Sequence, residues 1–268
     1  AGHQAISQDM LAILTLYVQK LVMIPVSLAT AFGLTLIPTI TESFTSGNYK
    51  LLNQQINQTM QTILFLIIPA VVGISLLAGP TYTFFYGSES LHPELGANIL
   101  LWYSPVAILF SLFTVNAAIL QGINKQKFAV VSLVIGVVIK LVLNVPLIKL
   151  MQADGAILAT ALGYIASLLY GFIMIKRHAG YSYKILVKRT VLMLVLSAIM
   201  GIAVKIVQWV LSFFISYQDG QVQAAIVVVI AAAVGGAVYL YCGYRLGFLQ
   251  KILGRRLPGF LKRGRHAG

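Results

Sequence analysis

Charge and cysteine are both scarce in this sequence. Of its 268 residues only 9% are charged, and Cys242 is the single cysteine. Soluble domains carry about 25% charged residues, so this composition cannot provide a water-facing surface around a folded core. It excludes a soluble enzyme and a disordered tail, and one cysteine cannot build a disulfide scaffold. Because 59% of the residues are hydrophobic, the class that remains is an integral membrane protein.

Long apolar stretches dominate what is present. A helix needs about 20 apolar residues to cross the roughly 30 Å hydrocarbon core of a bilayer. None of the stretches has the alternating pattern of a barrel strand. The sequence therefore predicts an all-α integral membrane protein with about seven transmembrane helices, at residues 11–40, 60–80, 99–120, 128–148, 156–175, 191–215 and 224–244. The amphipathic segment 41–57 predicts a short helix lying in the membrane interface.

Lysine and arginine are unevenly distributed between the two sides that these spans define. Outside the spans, nearly all of them fall on the side of the first loop and the C-terminus, and Lys149 alone falls on the other. Cytoplasmic loops retain such residues, which predicts an outside N-terminus and an inside C-terminus. The net charge of +13 is therefore interpreted as a topology signal and not as a nucleic-acid-binding surface.

The C-terminal segment 245–268 interleaves apolar residues with cations. This pattern is typical of a basic amphipathic tail at the cytoplasmic membrane surface, with anionic phospholipids as partners. The predicted surface anchor consists of Arg255, Arg256, Lys262 and Arg263.

The chain starts with Ala1 rather than with methionine. Seven spans with an outside start are what remains when an odd number of spans is removed from the front of a larger transporter. We therefore interpret the chain as a C-terminal portion that needs a missing N-terminal lobe or a second copy. A seven-span receptor is the competing interpretation. It is weakened because the third span ends without an Asp-Arg-Tyr-like sequence and the last has no Asn-Pro-x-x-Tyr-like sequence.

Five prolines lie in the interior of the predicted spans, not counting Pro80 at the boundary of the second. A proline removes a backbone donor and favours a bend, and such bends let transporter helices flex during alternating access. The alternative is that membrane helices simply tolerate proline. The predicted bending points are Pro25, Pro38, Pro69, Pro105 and Pro146.

Four short sequence segments, by their order and spacing, carry a family resemblance. They are LTLIPTITE at 34–42, NAAILQGINK at 116–125, KLVLNVP at 140–146 and ADGAILAT at 153–160. Together they resemble the second half of the MATE-like flippases in the multidrug, oligosaccharidyl-lipid and polysaccharide (MOP) exporter superfamily. The likeness is strongest to its polysaccharide transporter branch, which contains the stage V sporulation protein B, YtgP-type and MurJ-like lipid II flippase proteins.

The resemblance implies a two-lobe fold of six helices per lobe, often with two further helices. On that map, residues 1–180 form second-lobe helices, 181–244 the two additional helices and 245–268 the cytoplasmic tail. The implied function is translocation of a polyprenyl-pyrophosphate-linked saccharide, a cell-wall or polysaccharide precursor, across the bacterial cytoplasmic membrane by alternating access. The alternatives are a cation-coupled multidrug exporter of the same fold and a non-transporting membrane scaffold or receptor.

Charged residues inside spans are costly and are therefore candidates for function. Lys20 and Lys140 are predicted to attract the substrate pyrophosphate; the alternatives are snorkelling of Lys20 to the interface and an internal polar partner for Lys140. Lys205 lies in the sixth span, which the resemblance places at the periphery beside a lipid-facing groove. Asn116 and Asn144 are predicted to bind sugar hydroxyls, although amides also join membrane helices.

No Asp, Glu or His lies in the core of a predicted span, and the sequence has no Gly-x-x-x-x-Gly-Lys-Ser/Thr phosphate loop. Hydrolysis, glycosyl transfer and phosphoryl transfer normally need such acids, bases or metal ligands. The sequence therefore predicts no enzyme activity, no metal and no cofactor.

Overall fold

The computed structural model describes residues 10–87 and 92–246, over which the backbone forms helices and no strand. A short 3-10 turn at Tyr217–Asp219 precedes the last helix, and the stretch Ile13–Val18 of the first helix is π-helical. The nine helices of these residues are α1 (Met10–Thr45), α2 (Tyr49–Leu76), α3 (Ala78–Tyr86), α4 (Pro93–Tyr103), α5 (Val106–Gly122), α6 (Gln126–Met151), α7 (Ala153–Ala179), α8 (Lys184–Ser212) and α9 (Gln221–Arg245). The predicted surface anchor Arg255, Arg256, Lys262 and Arg263 lies outside the described residues.

Six of these helices, α1, α2 and α6 to α9, are long and apolar enough to cross a membrane. The pair α4 and α5 adds a seventh span if the two are taken as one, with a bend of 43° between them. The prediction of an all-α membrane protein with about seven spans is confirmed. Its N-out, C-in orientation stays a prediction.

The predicted interfacial helix at 41–57 is wrong. α1 continues to Thr45, and a turn follows in which Gly47 has a φ of +68°. The Asn48 side chain then accepts a hydrogen bond from the Leu51 amide at 3.1 Å and caps α2. The amphipathic residues after this cap are the first turns of α2 itself, and they bury Leu52 because tertiary packing covers that face.

Hydrogen bonds between residues far apart in the sequence show which links between helices lie together at each end of the bundle. At one end, Tyr181 of the α7–α8 link hydrogen-bonds Asn57 in the first turns of α2. We call this the basic end, because the predicted cytoplasmic cations lie there. At the opposite end, the Tyr86 hydroxyl at the end of α3 donates to the Tyr17 carbonyl in α1 at 2.9 Å.

The core is centred on α2, which packs against α1, α5 and α8. Its buried side chains include Ile56, Met60, Ile63 and Ile67. By contrast, α6 is held mainly by α7, through small residues that let the two backbones approach closely. An added Cβ on Gly163 would lie 2.7 Å from the Gly136 carbonyl oxygen.

Candidate functional site

An apolar groove runs beside α1 toward the opposite end of the bundle. Its volume is about 470 Å³, and α1, α2, α3, α8 and α9 all contribute to its walls. Ile24 and Leu28 line it from α1, and Lys20 precedes them at four-residue spacing on the same helix face. Lys20 is exposed and lies two residues after the π-helical stretch, a feature that often marks functional sites. The predicted cation therefore stands one turn beyond an apolar groove.

A second cleft, to which several polar side chains contribute, opens between α1 and α2 nearer the basic end. It has a volume of about 390 Å³ and is lined by Phe32, Leu36, Thr39, Gln55, Gln58, Thr59, Thr62 and Ile63. The Gln55 Oε1 atom is buried and has no hydrogen-bond partner among the described residues. The Thr59 and Thr62 hydroxyls donate to carbonyls of their own helix, which leaves their oxygens able to accept. Amide and hydroxyl groups around an aromatic ring can bind the hydroxyls of a sugar.

Sequence reasoning missed this cleft. The signal was present as the polar run NQQINQT at 53–59, but its amphipathic spacing favoured a surface helix. The structure shows the run inside the long apolar helix α2, where Gln55, Gln58 and Thr59 line the cleft with α1.

Lys140 lies midway along α6 at a small pocket of about 140 Å³. Thr160, Tyr164 and Ser167 of α7 line the same pocket. An added Cβ on Gly163 would lie 3.2 Å from the Lys140 Cβ, so the stem of the lysine packs on α7. Lys140 is therefore an exposed side chain whose stem packs on α7 at the pocket that Thr160, Tyr164 and Ser167 line.

The two predicted asparagines occupy different settings. Asn116 is 2% exposed, and its Nδ2 donates to the Leu168 carbonyl of α7 at 3.5 Å. An added Cβ on Gly171 would come within 2.5 Å of that Nδ2, so Asn116 fills the contact between α5 and α7. Asn144 is half-buried, one turn from Lys140 on α6. Lys140 and Asn144 therefore lie one helical turn apart on α6, and Lys20 lies on another helix.

The five predicted bending prolines also differ in setting. The 43° bend between α4 and α5 falls at residues 104–105, directly at Pro105. Pro25, Pro38, Pro69 and Pro146 lie inside helices that continue through them. Pro25 and Pro69 line the same apolar groove from α1 and α2.

A polar network joins α2, α8 and the α7–α8 link at the basic end. Arg189 donates a hydrogen bond to Gln61, and Gln61 Nε2 donates to Asn57 Oδ1 at 2.7 Å. The Tyr181 hydroxyl donates to the same Asn57 oxygen at 2.9 Å. Burial raises the pKa of Tyr181 to about 12, although the positive charge of Arg189 acts in the opposite direction. Tyr181 is therefore a permanent hydrogen-bond donor at neutral pH.

Comparison with known proteins identifies the family. The family model described as Lipid II flippase MurJ matches residues 11–220. Over all 268 residues the chain is 98% identical to Lipid II flippase MurJ of Bacillus subtilis and covers 49% of that protein. It is 26% identical, over 90% of its length, to the uncharacterized membrane protein YabM of the same organism, of which it covers 45%.

A solved structure shows the same fold. Lipid II flippase MurJ in an inward closed conformation matches 92% of this chain with a TM-score of 0.72, at 19% sequence identity and over 48% of its own length. The chain thus spans about half the length of the curated relatives it matches. The predicted resemblance to MurJ-like flippases is confirmed. The predicted multi-pass location in the cytoplasmic membrane is confirmed as well, and the family is one of transporters rather than of enzymes. With most of its length matched by the family model, the chain belongs to the MurJ lipid II flippase family.

Proposed function

We propose that the chain forms one half of a flippase that translocates lipid II, a polyprenyl-pyrophosphate-linked saccharide, across the cytoplasmic membrane by alternating access. The observation that carries this proposal is the composition of the surfaces along α1. A polar cleft, an apolar groove and the cation Lys20 follow one another from the basic end to the opposite end. Each supplies the kind of contact that one chemical part of the substrate needs: polar side chains for the sugar, an apolar wall for the polyprenyl chain and a cation for the pyrophosphate. The name of the 98% identical relative supports the same substrate.

The cleft at the basic end is the proposed first contact for the saccharide. Gln55 and Gln58 supply amide donors and acceptors there, and Phe32 supplies an apolar face. A headgroup that moves outward along α1 then meets Lys20 last. Lys140 and Asn144 form the second proposed polar contact, on α6. Asn116 contacts substrate in this scheme only when α5 and α7 separate.

The proposed division of the chain is a second lobe at 1–180 and two additional helices at 181–244, followed by the tail at 245–268. Helices α8 and α9 pack on each other and on α2 and α3, which supports treating them as an added pair. The proposed partner is a first lobe or a second copy, which would close a cavity against the exposed face of α1.

The test is a translocation assay with a full-length protein that carries this sequence in its matching half. We expect Lys20→Ala to lower the rate of lipid II transfer between leaflets by about tenfold or more, since a hydrogen bond to a charged group contributes about 1.5–3 kcal/mol. Lys20→Arg should keep most of the rate, and Lys140→Ala should show a similar loss. Lys127→Ala, at the exposed start of α6, is the matched control.

Two results would separate the parts of the proposal. Normal transfer by both the Lys20→Ala and Lys140→Ala proteins, at normal membrane levels, would remove the anion-binding roles and leave the flippase function. Absence of lipid II transfer by the unaltered protein in vesicles would overturn the function itself.

A further inference from the structure

A second apolar groove lies on the outer flank of α8, away from α1. It has a volume of about 590 Å³, within the range of about 300–1,000 Å³ that is usual for ligand sites. We call it the Lys205 groove; it is lined by Val72 and Leu76 of α2 and by Ala198, Gly201, Ile202, Lys205, Ile206 and Trp209 of α8.

The Lys205 groove is separate from the groove beside α1. The α8 residues Met200 and Val204 point the other way and line the groove beside α1. An added Cβ on Gly235 of α9 would lie 2.5 Å from Val204, so that face of α8 is covered by protein. The face that carries Lys205 is open: Ile202 is 63% and Trp209 64% exposed.

Lys205 is a cation without an anionic partner in this groove. Its Nζ donates to the Leu76 carbonyl at 2.9 Å and to Gln208 Oε1 at 3.1 Å, and both acceptors are neutral. Leu76 is the last residue of α2, whose terminal carbonyls have no partner within the helix. This contact fixes the ammonium at the rim of the groove. An ammonium has three donors, so one donor and the full charge remain for a ligand.

The order of groups along the Lys205 groove matches that of a phospholipid. Trp209 and Lys205 lie toward the end of α8, the pairing that is typical of the headgroup level. From Lys205 the apolar wall continues for seven residues to Ala198, about 10 Å along the helix. A phosphodiester carries one negative charge, which a single ammonium can balance.

We propose that the Lys205 groove binds one phospholipid of the surrounding bilayer, preferentially an anionic one. Its phosphate lies on the Lys205 ammonium, and one acyl chain follows α8 toward Ala198. The bound lipid would join the end of α2 to α8 and cover the seam between them. The inference needs only a membrane setting and does not depend on which substrate the protein translocates.

The chain's two tryptophans provide a matched measurement. Trp102 is 62% exposed on α4 and Trp209 64% exposed at the groove, so the two side chains are matched in exposed fraction. The experiment uses two full-length proteins, one that retains only Trp102 and one that retains only Trp209, with every other tryptophan replaced by phenylalanine. Both are reconstituted in phosphatidylcholine vesicles. Phosphatidylglycerol brominated on its acyl chains is then added stepwise as a fluorescence quencher. We expect Trp209 to reach half-maximal quenching at a fraction of phosphatidylglycerol about fivefold lower than Trp102 does. The reason is that one lysine near an anionic headgroup contributes about 1 kcal/mol of attraction, which corresponds to about fivefold in affinity.

Two variants test the two parts of the site. Lys205→Gln should bring Trp209 to the response of Trp102, while Trp102 in the same variant stays unchanged and reports correct folding. Ala198→Leu fills the groove without touching the cation and should weaken quenching of Trp209. Ala233→Leu, an exposed position on α9 outside the groove, should leave it unchanged.

Four results would overturn the proposal. Equal responses of the two tryptophans, or no effect of Lys205→Gln, would mean ordinary lipid contact only. Absence of any quenching at Trp209 would mean that protein covers the groove. Recovery of Trp209 fluorescence on addition of unbrominated polyprenyl pyrophosphate, with no recovery from phosphatidylglycerol, would assign the groove to a polyprenyl substrate.

Discussion

Helices α2 and α6 are both long enough to cross a bilayer, but they occupy opposite positions in the fold. Half of the most apolar stretch of α2 is buried inside the protein, against 11% of that of α6, and yet α6 is the more apolar helix. The buried helix carries paired polar groups, such as Gln61 at 1% exposure. The exposed helix carries valine and leucine, such as Val142 at 67%.

The difference shows that apolarity in this protein does not measure burial in protein, since the more apolar helix is the open one, as is typical of a lipid-facing helix. Lipid tails are as apolar as leucine, so no hydrophobic force drives α6 against the bundle. Small residues and hydrogen bonds hold it instead: the Ser132 and Ser167 hydroxyls each donate to the other residue's carbonyl at 2.8 Å. In α2, Gln61 can be buried because Arg189 of α8 and Asn57 of α2 itself supply its hydrogen-bond partners.

The largest effect is expected where α6 turns back into α7. An added Cβ on Gly155 would lie 2.1 Å from the Leu147 carbonyl oxygen, which is backbone and cannot move aside. Gly155→Ala should therefore lower the free energy of unfolding by about 3 kcal/mol or more, at the upper end of overpacking costs. Gly236→Ala, with no atom within 4 Å of the added Cβ, is the control and should be neutral or slightly stabilising. The measurement is the fraction of protein that stays monodisperse after heating in detergent; equal fractions for both would show that α6 does not depend on this contact.

A second pair of variants compares truncation inside and outside the bundle. Ile67 in α2 is 2% exposed, and Ile67→Ala should destabilise by about 2–4 kcal/mol because it leaves a cavity. Leu141 in α6 is 65% exposed, and lipid can fill the space left by Leu141→Ala, so the change should stay within about 0.5 kcal/mol. Thermal unfolding in vesicles measures both. Similar losses for the two would contradict the assignment of α6 to the lipid-facing surface.

A third variant tests the buried polar group of α2. Gln61→Leu keeps the volume but removes the acceptor of Arg189 and the donor to Asn57. We expect a loss of about 1–3 kcal/mol, the cost of leaving polar partners unsatisfied. Gln54→Leu, on the exposed side of α2, should have little effect. A gain in stability from Gln61→Leu would show that the network contributes nothing to folding.

The smallest effect at neutral pH is expected for Tyr181→Phe, which removes one hydrogen bond worth about 0.5–1.5 kcal/mol. Its pH dependence is more informative. The folded chain keeps the Tyr181 proton up to about pH 12, whereas an unfolded tyrosine loses it near pH 10. The stabilisation is therefore complete below about pH 10 and is lost as the pH rises toward 12. Unfolding free energies across this interval should fall less steeply for Tyr181→Phe, and identical slopes would exclude this role of Tyr181.

The candidate site was only partly predictable from the sequence. Lys20 and Lys140 could be found because a charge inside an apolar run is conspicuous whatever the fold. Asn116 was predicted as a sugar ligand, and the structure shows it packed against α7. Residue spacing along a helix does not distinguish an amide in a helix contact from an amide that faces a cavity. The cleft around Gln55 was missed because an amphipathic stretch looks the same on a membrane surface as in the first turns of a span.

The sequence by itself determined the class of protein, the approximate number of its spans and its family. The thickness of the bilayer and the absence of water in its core allow little else for apolar runs of this length. The tertiary structure alone decided which face of each helix meets protein, lipid or a cleft. The physical reason is that lipid and protein interior are equally apolar. Hydrophobic periodicity therefore does not separate them, and the choice depends on close contacts such as that of Gly163 with Gly136.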